Sequence, residues 1–222
     1  MDHLGNALSQ KTFSQSVVCN DNQSEPRKFR HIFLDAEGTL YVPKYGRSRW
    51  EFWVAPSPEH ALDFFELDEG VPEALEKLRR EVDTLCVVSR NTAQILEAIL
   101  TRFGIRHYFD AILLNGDKGE KISRYLEERG LDKQDAVMVG DTPSLDLHPV
   151  LRAGICAILV DRDYNRTVRA ERIKGIRELP TWLRLAEIAD EMVRSRARTA
   201  TLDEFLPSDE RPTKRLMAAP SV

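Results

Sequence analysis

The chain is poor in cysteine and has no long apolar run, and these absences argue against a disulfide-rich protein and a membrane-spanning protein. Cys19, Cys86 and Cys156 are too few and too far apart for a disulfide framework. Cys86 and Cys156 lie in apolar runs, where buried and reduced thiols are expected. No apolar run approaches the roughly 20 residues needed to cross a bilayer. The N-terminus has no basic start followed by an apolar segment, so we expect a cytoplasmic protein with no membrane partner.

Net charge and the lack of common ligand motifs exclude further classes. The formal charge of −4 gives no electrostatic reason to expect a nucleic-acid partner. The histidines show no metal-ligand spacing, and "GDKGEK" lacks the glycine and lysine arrangement of a phosphate-binding P-loop. With 222 residues, 42% of them hydrophobic and 31% charged, the sequence is typical of a soluble protein with one sizeable core.

Composition divides the chain into one domain and two tails. Residues 1–28 are rich in serine, glutamine and asparagine without a sustained period, which predicts a disordered N-terminal tail. Residues 195–222 look similar and are predicted to form a mostly disordered C-terminal tail. The folded domain is therefore predicted over residues 29–194.

Between the tails, short apolar runs alternate with helical periods. The runs are "IFLD", "TLCVVS", "AILL", "AVMVG" and "ICAILV". Amphipathic stretches such as "VPEALEKLRRE" separate them, and a last helix near 180–194 is predicted to bury Trp182, Leu185 and Ile188. This alternation predicts an α/β fold with a Rossmann-like parallel five-stranded sheet and helices on both faces.

Polar residues stand where the apolar runs stop, at the edge where such sheets bind ligands. They are Asp35, Glu37 and Thr39 after the first run, Ser89, Arg90 and Asn91 after the second, Lys118 and Lys121 after the third, and Asp141 and Asp146 after the fourth. Turn and cap chemistry explains any one of these groups taken alone. Four such groups in order, each at the same edge, are hard to obtain from turns, so the pattern predicts a catalytic site.

The order and residue types of these motifs resemble the haloacid dehalogenase superfamily, most of whose members are phosphatases. The first motif of that superfamily, Asp-x-Asp-x-Thr after an apolar strand, is similar to "DAEGT" except at Glu37. The second, a Ser or Thr that ends a strand, is similar to "LCVVSRN". The third, a lysine before a helix, corresponds to Lys118 or Lys121, and the fourth is similar to "GDTPSLD". The resemblance spans roughly residues 30–180.

The resemblance implies a Mg²⁺-dependent phosphomonoester hydrolase that forms an aspartyl-phosphate on Asp35. It implies Asp35, Glu37, Ser89 and Lys118 as catalytic residues and Thr39, Arg90 and Asn91 as substrate-binding residues. The implied metal ligands are Asp35, the backbone carbonyl of Glu37 and Asp141, with Asp146 holding metal-bound waters or orienting the lysine.

Two positions depart from a simple match. Glutamate at position 37 can protonate a leaving oxygen and then deprotonate water, but its extra methylene displaces the carboxyl group by more than about an ångström. The enolase-phosphatases of the superfamily also carry Asp-x-Glu-Gly-Thr. Lys118 lies just before the helix "EKISRYLEERG" and Lys121 one turn inside it, and Lys118 is favoured because its side chain can reach back across the strand ends.

Above the site the sequence predicts a minimal cap, a short aromatic flap over residues 41–70. Phe64 and Phe65 are expected to pack the flap onto the sheet. An alternative makes Trp50 or Trp53 part of the substrate entrance, with Arg47 and Arg49 available for anionic groups. The short insertion is most similar to the magnesium-dependent phosphatase group, so the expected substrate is a phosphorylated small molecule or a phosphoprotein, bound by a monomer or homodimer.

Two rival functions stay open on the sequence. One is another activity of the same scaffold, dehalogenation or phosphomutase chemistry. Glu37, Asp141 and Asp146 argue against dehalogenation, and the absence of a large cap argues against a mutase. The other is a weak or inactive binding protein in which Glu37 is the lesion. Stoichiometric Mg²⁺ binding without turnover would favour the binding protein.

Overall fold

Six parallel strands form the central sheet of the part of the chain that the structure describes. The structure is a computed structural model, and it describes residues 28–54 and 56–205. Most of both predicted tails, residues 1–27 and 206–222, and with them Cys19, lie outside the described residues. The strands are β1 (His31–Leu34), β2 (Tyr41–Pro43), β3 (Phe65–Leu67), β4 (Thr84–Ser89), β5 (Ala111–Leu114), β6 (Ala136–Gly140), β7 (Cys156–Val160) and β8 (Arg172–Ile173).

The central sheet has the order β5-β4-β1-β6-β7-β8, and β2 and β3 form a separate antiparallel pair. The predicted α/β fold with a parallel sheet is confirmed. The sheet has one strand more than predicted. The additional strand, β8, has only two residues and pairs with the end of β7. A two-residue strand leaves no apolar run in the sequence, so its pattern could not be recognised.

The described residues contain seven α-helices. They are α1 (Arg49–Phe52), α2 (Pro58–Phe64), α3 (Val71–Glu81), α4 (Ala93–Arg102), α5 (Lys118–Glu127), α6 (His148–Arg152) and α7 (Leu179–Phe205). Local sequence explains where several begin. Pro72 occupies the first turn of α3, and the side chains of Thr92 and Asp117 cap α4 and α5 by accepting backbone N–H groups.

The core has two layers, one on each face of the sheet, because alternate residues of each strand point to opposite faces. Ile32 and Leu34 of β1 belong to the layer that includes buried residues of α3, α4 and the flap. Phe33 belongs to the other layer, where it packs edge-on against Tyr125 of α5 with ring centroids 5.7 Å apart. Cys86 and Cys156 are buried and reduced, as expected.

Helix α7 differs most from its prediction. It does not end near Arg194 but continues to Phe205. Leu179, Pro180 and Leu183 are buried, and Trp182 is half-buried against Phe29. The prediction of burial is wrong for Leu185 and Ile188, which are about half exposed. The apolar residues of this helix form two stripes, and only packing against the domain selects the one that includes Leu179. Although α7 is long, neither it nor any other helix among the described residues is apolar enough to cross a membrane.

Candidate active site

The carboxyl ends of three neighbouring strands carry the predicted catalytic side chains. Asp35 follows β1, Ser89 ends β4, and Asp141 follows β6. Because β1 lies between β4 and β6 in a parallel sheet, these residues meet at one edge. The backbone N–H of Asp35 donates to Val139 O at 2.8 Å, so the ladder between β1 and β6 extends to the site itself.

Lys118 joins two of the carboxylates. It is the first residue of α5, and Asp117 caps that helix by accepting the backbone N–H of Glu120 at 3.1 Å. Its ammonium forms a close ion pair with Asp35 Oδ1 and a second with Asp146 Oδ1 at 2.5 Å. Lys121 lies one turn further along α5 and is half-buried. Of the two candidate lysines, Lys118 therefore reaches the acidic residues.

The loop after β6 folds around the Asp146 carboxylate. Asp146 Oδ2 accepts the backbone N–H groups of Asp141 at 3.0 Å and Thr142 at 2.7 Å. A Cβ at Gly140 would collide with the Asp146 side chain, so the turn requires glycine there. One oxygen of Asp146 thus holds its own loop and the other holds Lys118, which fixes the orientation of the carboxylate.

The loops after β1 and β6 also contact each other closely. Gly38 has a φ of 81°, and a Cβ at this position would collide with the Asp141 carboxylate. Glycine is required both for the left-handed backbone and for this approach. The sequence "DAEGT" therefore positions Asp141 as well as carrying Asp35.

Three of these carboxylates could hold a metal ion. Oxygen atoms of Asp35, Asp141 and Asp146 lie within 4.8 Å of one another, and all three residues are buried. Among the described residues, four carboxyl groups but only one lysine ammonium are buried, the fourth acid being Glu37. Hard oxygen ligands and uncompensated negative charge are what a divalent cation such as Mg²⁺ requires, so the residues present fit one.

Burial and neighbouring charges shift the pKa values of Asp35, Asp146 and Lys118. Burial raises the pKa of Asp35 to about 6 even though the Lys118 ammonium opposes the shift. Burial, followed by repulsion from Asp35, raises the pKa of Asp146 to about 6 as well. Burial alone would lower the pKa of Lys118, but the charges of the two carboxylates outweigh it and raise that pKa above its ordinary value. The lysine is therefore charged at neutral pH.

Because the pKa of Asp35 is raised, the free energy of unfolding of the metal-free protein should depend on pH. The folded state holds its proton up to about pH 6, whereas an unfolded chain releases it near 3.8. Stability from this group therefore falls as pH rises between those values. We expect Asp35→Asn, which stays neutral, to gain stability relative to the wild type across that interval. Urea denaturation in EDTA at several pH values measures this difference, and a difference independent of pH would contradict the prediction.

The other predicted site residues lie at the same edge of the sheet, and they differ in how far their side chains are buried. Ser89 Oγ accepts the backbone N–H of Asn91 at 3.1 Å, which leaves the hydroxyl proton to donate elsewhere. Asn91 and Thr39 are buried; the Asn91 side chain interacts with the Tyr41 hydroxyl, and within the described residues Thr39 Oγ1 has no hydrogen-bond partner. Arg90 is exposed. A buried hydroxyl without a partner at this edge of the sheet is a donor that an anionic ligand would satisfy.

The flap matches the packing interpretation. Phe64 and Phe65 are buried with ring centroids 5.0 Å apart, and the Phe52 ring packs on both. The Arg47 guanidinium lies 5.2 Å from the centroid of the Phe64 ring. Trp53 is 40% exposed, and its role at a substrate entrance stays a prediction. The side chains of Arg49 and Trp50 lie outside the described part of the structure.

Three residues of the site escaped the sequence argument. Arg162, Tyr164 and Asn165 follow β7, and each donates a hydrogen bond to one of the acidic loops. A signal existed, because "ICAILV" is a fifth apolar run that stops at the same edge, and "DRDYN" stands directly after it. Applying the strand-end rule to that run would have found them.

The sequence profile of one protein family covers most of the domain. The family is described as haloacid dehalogenase-like hydrolase, and its profile matches residues 7–160. That range includes the ends of β1, β4 and β6 and the start of α5. No curated protein matches the chain significantly.

Solved structures with this fold include proteins described by different chemistry. An uncharacterised protein from Listeria monocytogenes serotype 4b is 22% identical, with a TM-score of 0.58 over 71% of this chain and 98% of that one. A phosphatase from Thermococcus onnurineus is 21% identical, with a TM-score of 0.56 over 69% and 97%. A 2-haloacid dehalogenase from Pseudomonas syringae pv. Tomato is 18% identical, with a TM-score of 0.51 over 69% and 97%. At these identities the likeness establishes the fold, and the reaction has to be argued from the site.

Proposed function

This chain belongs to the haloacid dehalogenase-like hydrolases, and from that premise we propose that it is a Mg²⁺-dependent phosphomonoester hydrolase with Asp35 as its nucleophile. One observation carries the proposal. The Lys118 ammonium contacts both Asp35 and Asp146, beside the carboxylate of Asp141, in a buried cluster. Phosphoryl transfer needs a positioned nucleophile and positive charge near the transferred group, and this cluster offers the first and part of the second.

In the first step, an oxygen of the Asp35 carboxylate attacks phosphorus and the bond to the leaving oxygen breaks. The ion pair with Lys118 holds that carboxylate in one orientation, which reduces the entropy lost on reaching the transition state. The Lys118 ammonium and the Ser89 hydroxyl are the donors we assign to the phosphoryl oxygens. The product is an aspartyl-phosphate and an alcohol.

Glu37 is the residue we assign to the proton transfers. It is buried and two residues after the nucleophile. As a carboxylic acid it gives its proton to the leaving oxygen, and the resulting carboxylate then takes a proton from water. That water attacks phosphorus, releases phosphate and regenerates the Asp35 carboxylate, so the protons balance over one turnover.

Asp35, Asp141 and the backbone carbonyl of Glu37 are the groups that would hold Mg²⁺, with Asp146 supporting them through its contacts to Lys118 and its own loop. When bound, the ion would offset the repulsion between a carboxylate and a phosphate dianion. Four carboxyl groups but only one lysine ammonium are buried among the described residues, and this excess of acids supports the need for a cation.

The same cluster favours hydrolysis of phosphate esters over the rival functions. A dehalogenase needs a nucleophilic aspartate but has no use for Glu37 or for a metal site. A mutase generally carries a larger cap than the short flap of residues 41–70. An inactive binding protein has no need to keep a lysine buried against the nucleophile, which is costly without a function.

The substrate class follows from what surrounds the cluster. Thr39 and Asn91 offer buried donors for the phosphate group, and exposed Arg90 is available to a second anionic group of the substrate. A flap made of two short helices and one pair of antiparallel strands leaves room for either a phosphorylated small molecule or a phosphoprotein. The short flap supports placement near the magnesium-dependent phosphatase group.

The test is release of phosphate from p-nitrophenyl phosphate by the purified protein. We expect turnover with Mg²⁺, loss of turnover in EDTA, and recovery when Mg²⁺ is restored. Absence of turnover by the wild type together with turnover by Glu37→Asp would contradict the proposal and identify a scaffold made inactive at position 37. Absence of turnover by both proteins on a panel of phosphomonoesters would also contradict it.

A further inference from the structure

The loop after β7 touches both acid-bearing loops of the site. Residues 161–165, named here the clamp loop, follow Val160. Arg162 Nε donates to the carbonyl oxygen of Gly38 at 2.8 Å. Asn165 Nδ2 donates to the carbonyl oxygen of Asp141 at 2.7 Å. The Tyr164 hydroxyl donates a close hydrogen bond to Asp141 Oδ2. The clamp loop therefore contacts the backbone that follows β1 and the backbone that follows β6.

Arg162 makes two contacts that a single guanidinium fork can satisfy together. While Nε donates to Gly38, Nη2 forms a close ion pair with Asp68, and both side chains are about four-fifths buried. Asp68 lies at the base of the flap, and its backbone N–H donates to Leu40 O at 3.0 Å. Arg162 thus ties the base of the flap to the loop that carries the nucleophile.

The clamp loop is itself held firmly. Asn165 is fully buried, and its Oδ1 accepts the backbone N–H of Arg162 at 3.2 Å and Arg172 Nη1 at 2.9 Å. Arg172 also pairs with Asp161 at 2.7 Å. These bonds anchor the clamp loop to β8, so Arg162 projects from a fixed base.

We infer that Arg162 is a positioning residue for the reaction, which holds the Gly38 peptide so that Asp35 and Asp141 keep their mutual geometry. This inference rests on the proposed function. Gly38 has left-handed backbone and lies against the Asp141 carboxylate, so a rotation of its peptide changes the distance between the two acidic loops. The backbone carbonyl of Glu37 belongs to the peptide that directly precedes the one held by Arg162.

Three variants separate this role from simple stabilisation. Arg162→Ala removes both contacts, Arg162→Lys keeps a cation for Asp68 but cannot reproduce the fork, and Asp68→Asn leaves the Gly38 contact in place. We expect Arg162→Ala and Arg162→Lys to lower kcat by about tenfold, with KM within about twofold of wild type. Asp68→Asn should stay near wild type. Arg166→Ala, which removes an exposed ion pair with Asp163 beside the clamp loop, is the matched control.

Hydrogen exchange at the peptide that spans residues 35–41 provides a second readout, which needs no turnover. We expect Arg162→Ala and Arg162→Lys to speed exchange there, and Asp68→Asn and Arg166→Ala to leave it unchanged. If Asp68→Asn lowered kcat as much as Arg162→Ala, or if Arg162→Ala changed neither kcat nor exchange, the inference would be overturned. If the wild type showed no turnover, the proposed function would fail, and exchange alone would decide whether Arg162 holds the Gly38 loop.

Discussion

Replacing Asp35 by asparagine is expected to lower phosphatase activity by about 10⁴-fold or more while leaving the protein folded. Asparagine keeps the shape of the side chain but provides no anionic oxygen to attack phosphorus. It also removes one of the crowded buried acids whose ionised form burial disfavours. In metal-free buffer at neutral pH, the free energy of unfolding of Asp35→Asn should therefore equal or exceed that of the wild type.

Steady-state hydrolysis of p-nitrophenyl phosphate and urea denaturation of the same preparations measure both halves of this prediction. Asp63→Asn is a suitable control, because Asp63 is an exposed aspartate on α2, away from the strand ends. Activity of Asp35→Asn within tenfold of wild type would exclude Asp35 as the nucleophile. A large loss of stability in Asp35→Asn would show that the ion pair between Asp35 and Lys118 stabilises the protein more than burial of the Asp35 carboxylate destabilises it.

Replacing Lys118 by methionine is expected to lower both activity and stability. Methionine fills much of the same volume but leaves Asp35 and Asp146 without the ammonium that contacts both. Removing one partner of a buried ion pair typically costs about 3–5 kcal/mol. Since the two carboxyl groups can take up protons instead, the loss should be largest above about pH 6, the value to which both pKa values are already raised.

Lys121→Met is the matched control, because Lys121 lies on the same helix, one turn away, outside this cluster. We expect its stability to stay within about 0.5 kcal/mol of wild type and its kcat to be unchanged. The double variant Asp35→Asn with Lys118→Met should recover part of the stability lost by Lys118→Met alone. Equal effects of the two lysine variants would mean that Lys118 has no special role.

Site residues at strand ends could be predicted where a buried strand was long enough to leave an apolar run in the sequence. A parallel sheet places all its carboxyl ends at one edge, so residues after β1, β4 and β6 had to meet, and Asp35, Ser89 and Asp141 do lie there. The choice of Lys118 over Lys121 also has a local cause. Asp117 caps α5, so Lys118 is its first residue and its side chain points back toward the strand ends.

Other features depended on contacts between distant residues and left weaker marks in the sequence. Arg162 lies far along the chain from Gly38, and the sequence around either residue has no pattern that predicts their hydrogen bond. The two residues of β8 are too few to show a period. In α7, periodicity alone could not tell whether Leu183 or Leu185 would face the core, because that depends on the surface against which the helix packs.

The measurement that tests the central claim most directly is chemical trapping of the covalent intermediate. The wild type is mixed with Mg²⁺ and a phosphomonoester, quenched rapidly and treated with borohydride, which reduces an aspartyl-phosphate to homoserine. Peptide mass spectrometry then locates the modified residue. We expect homoserine at position 35, dependent on both substrate and Mg²⁺, and none in Asp35→Asn. Homoserine at Asp141 or Asp146, or turnover without any trapped aspartate, would contradict it.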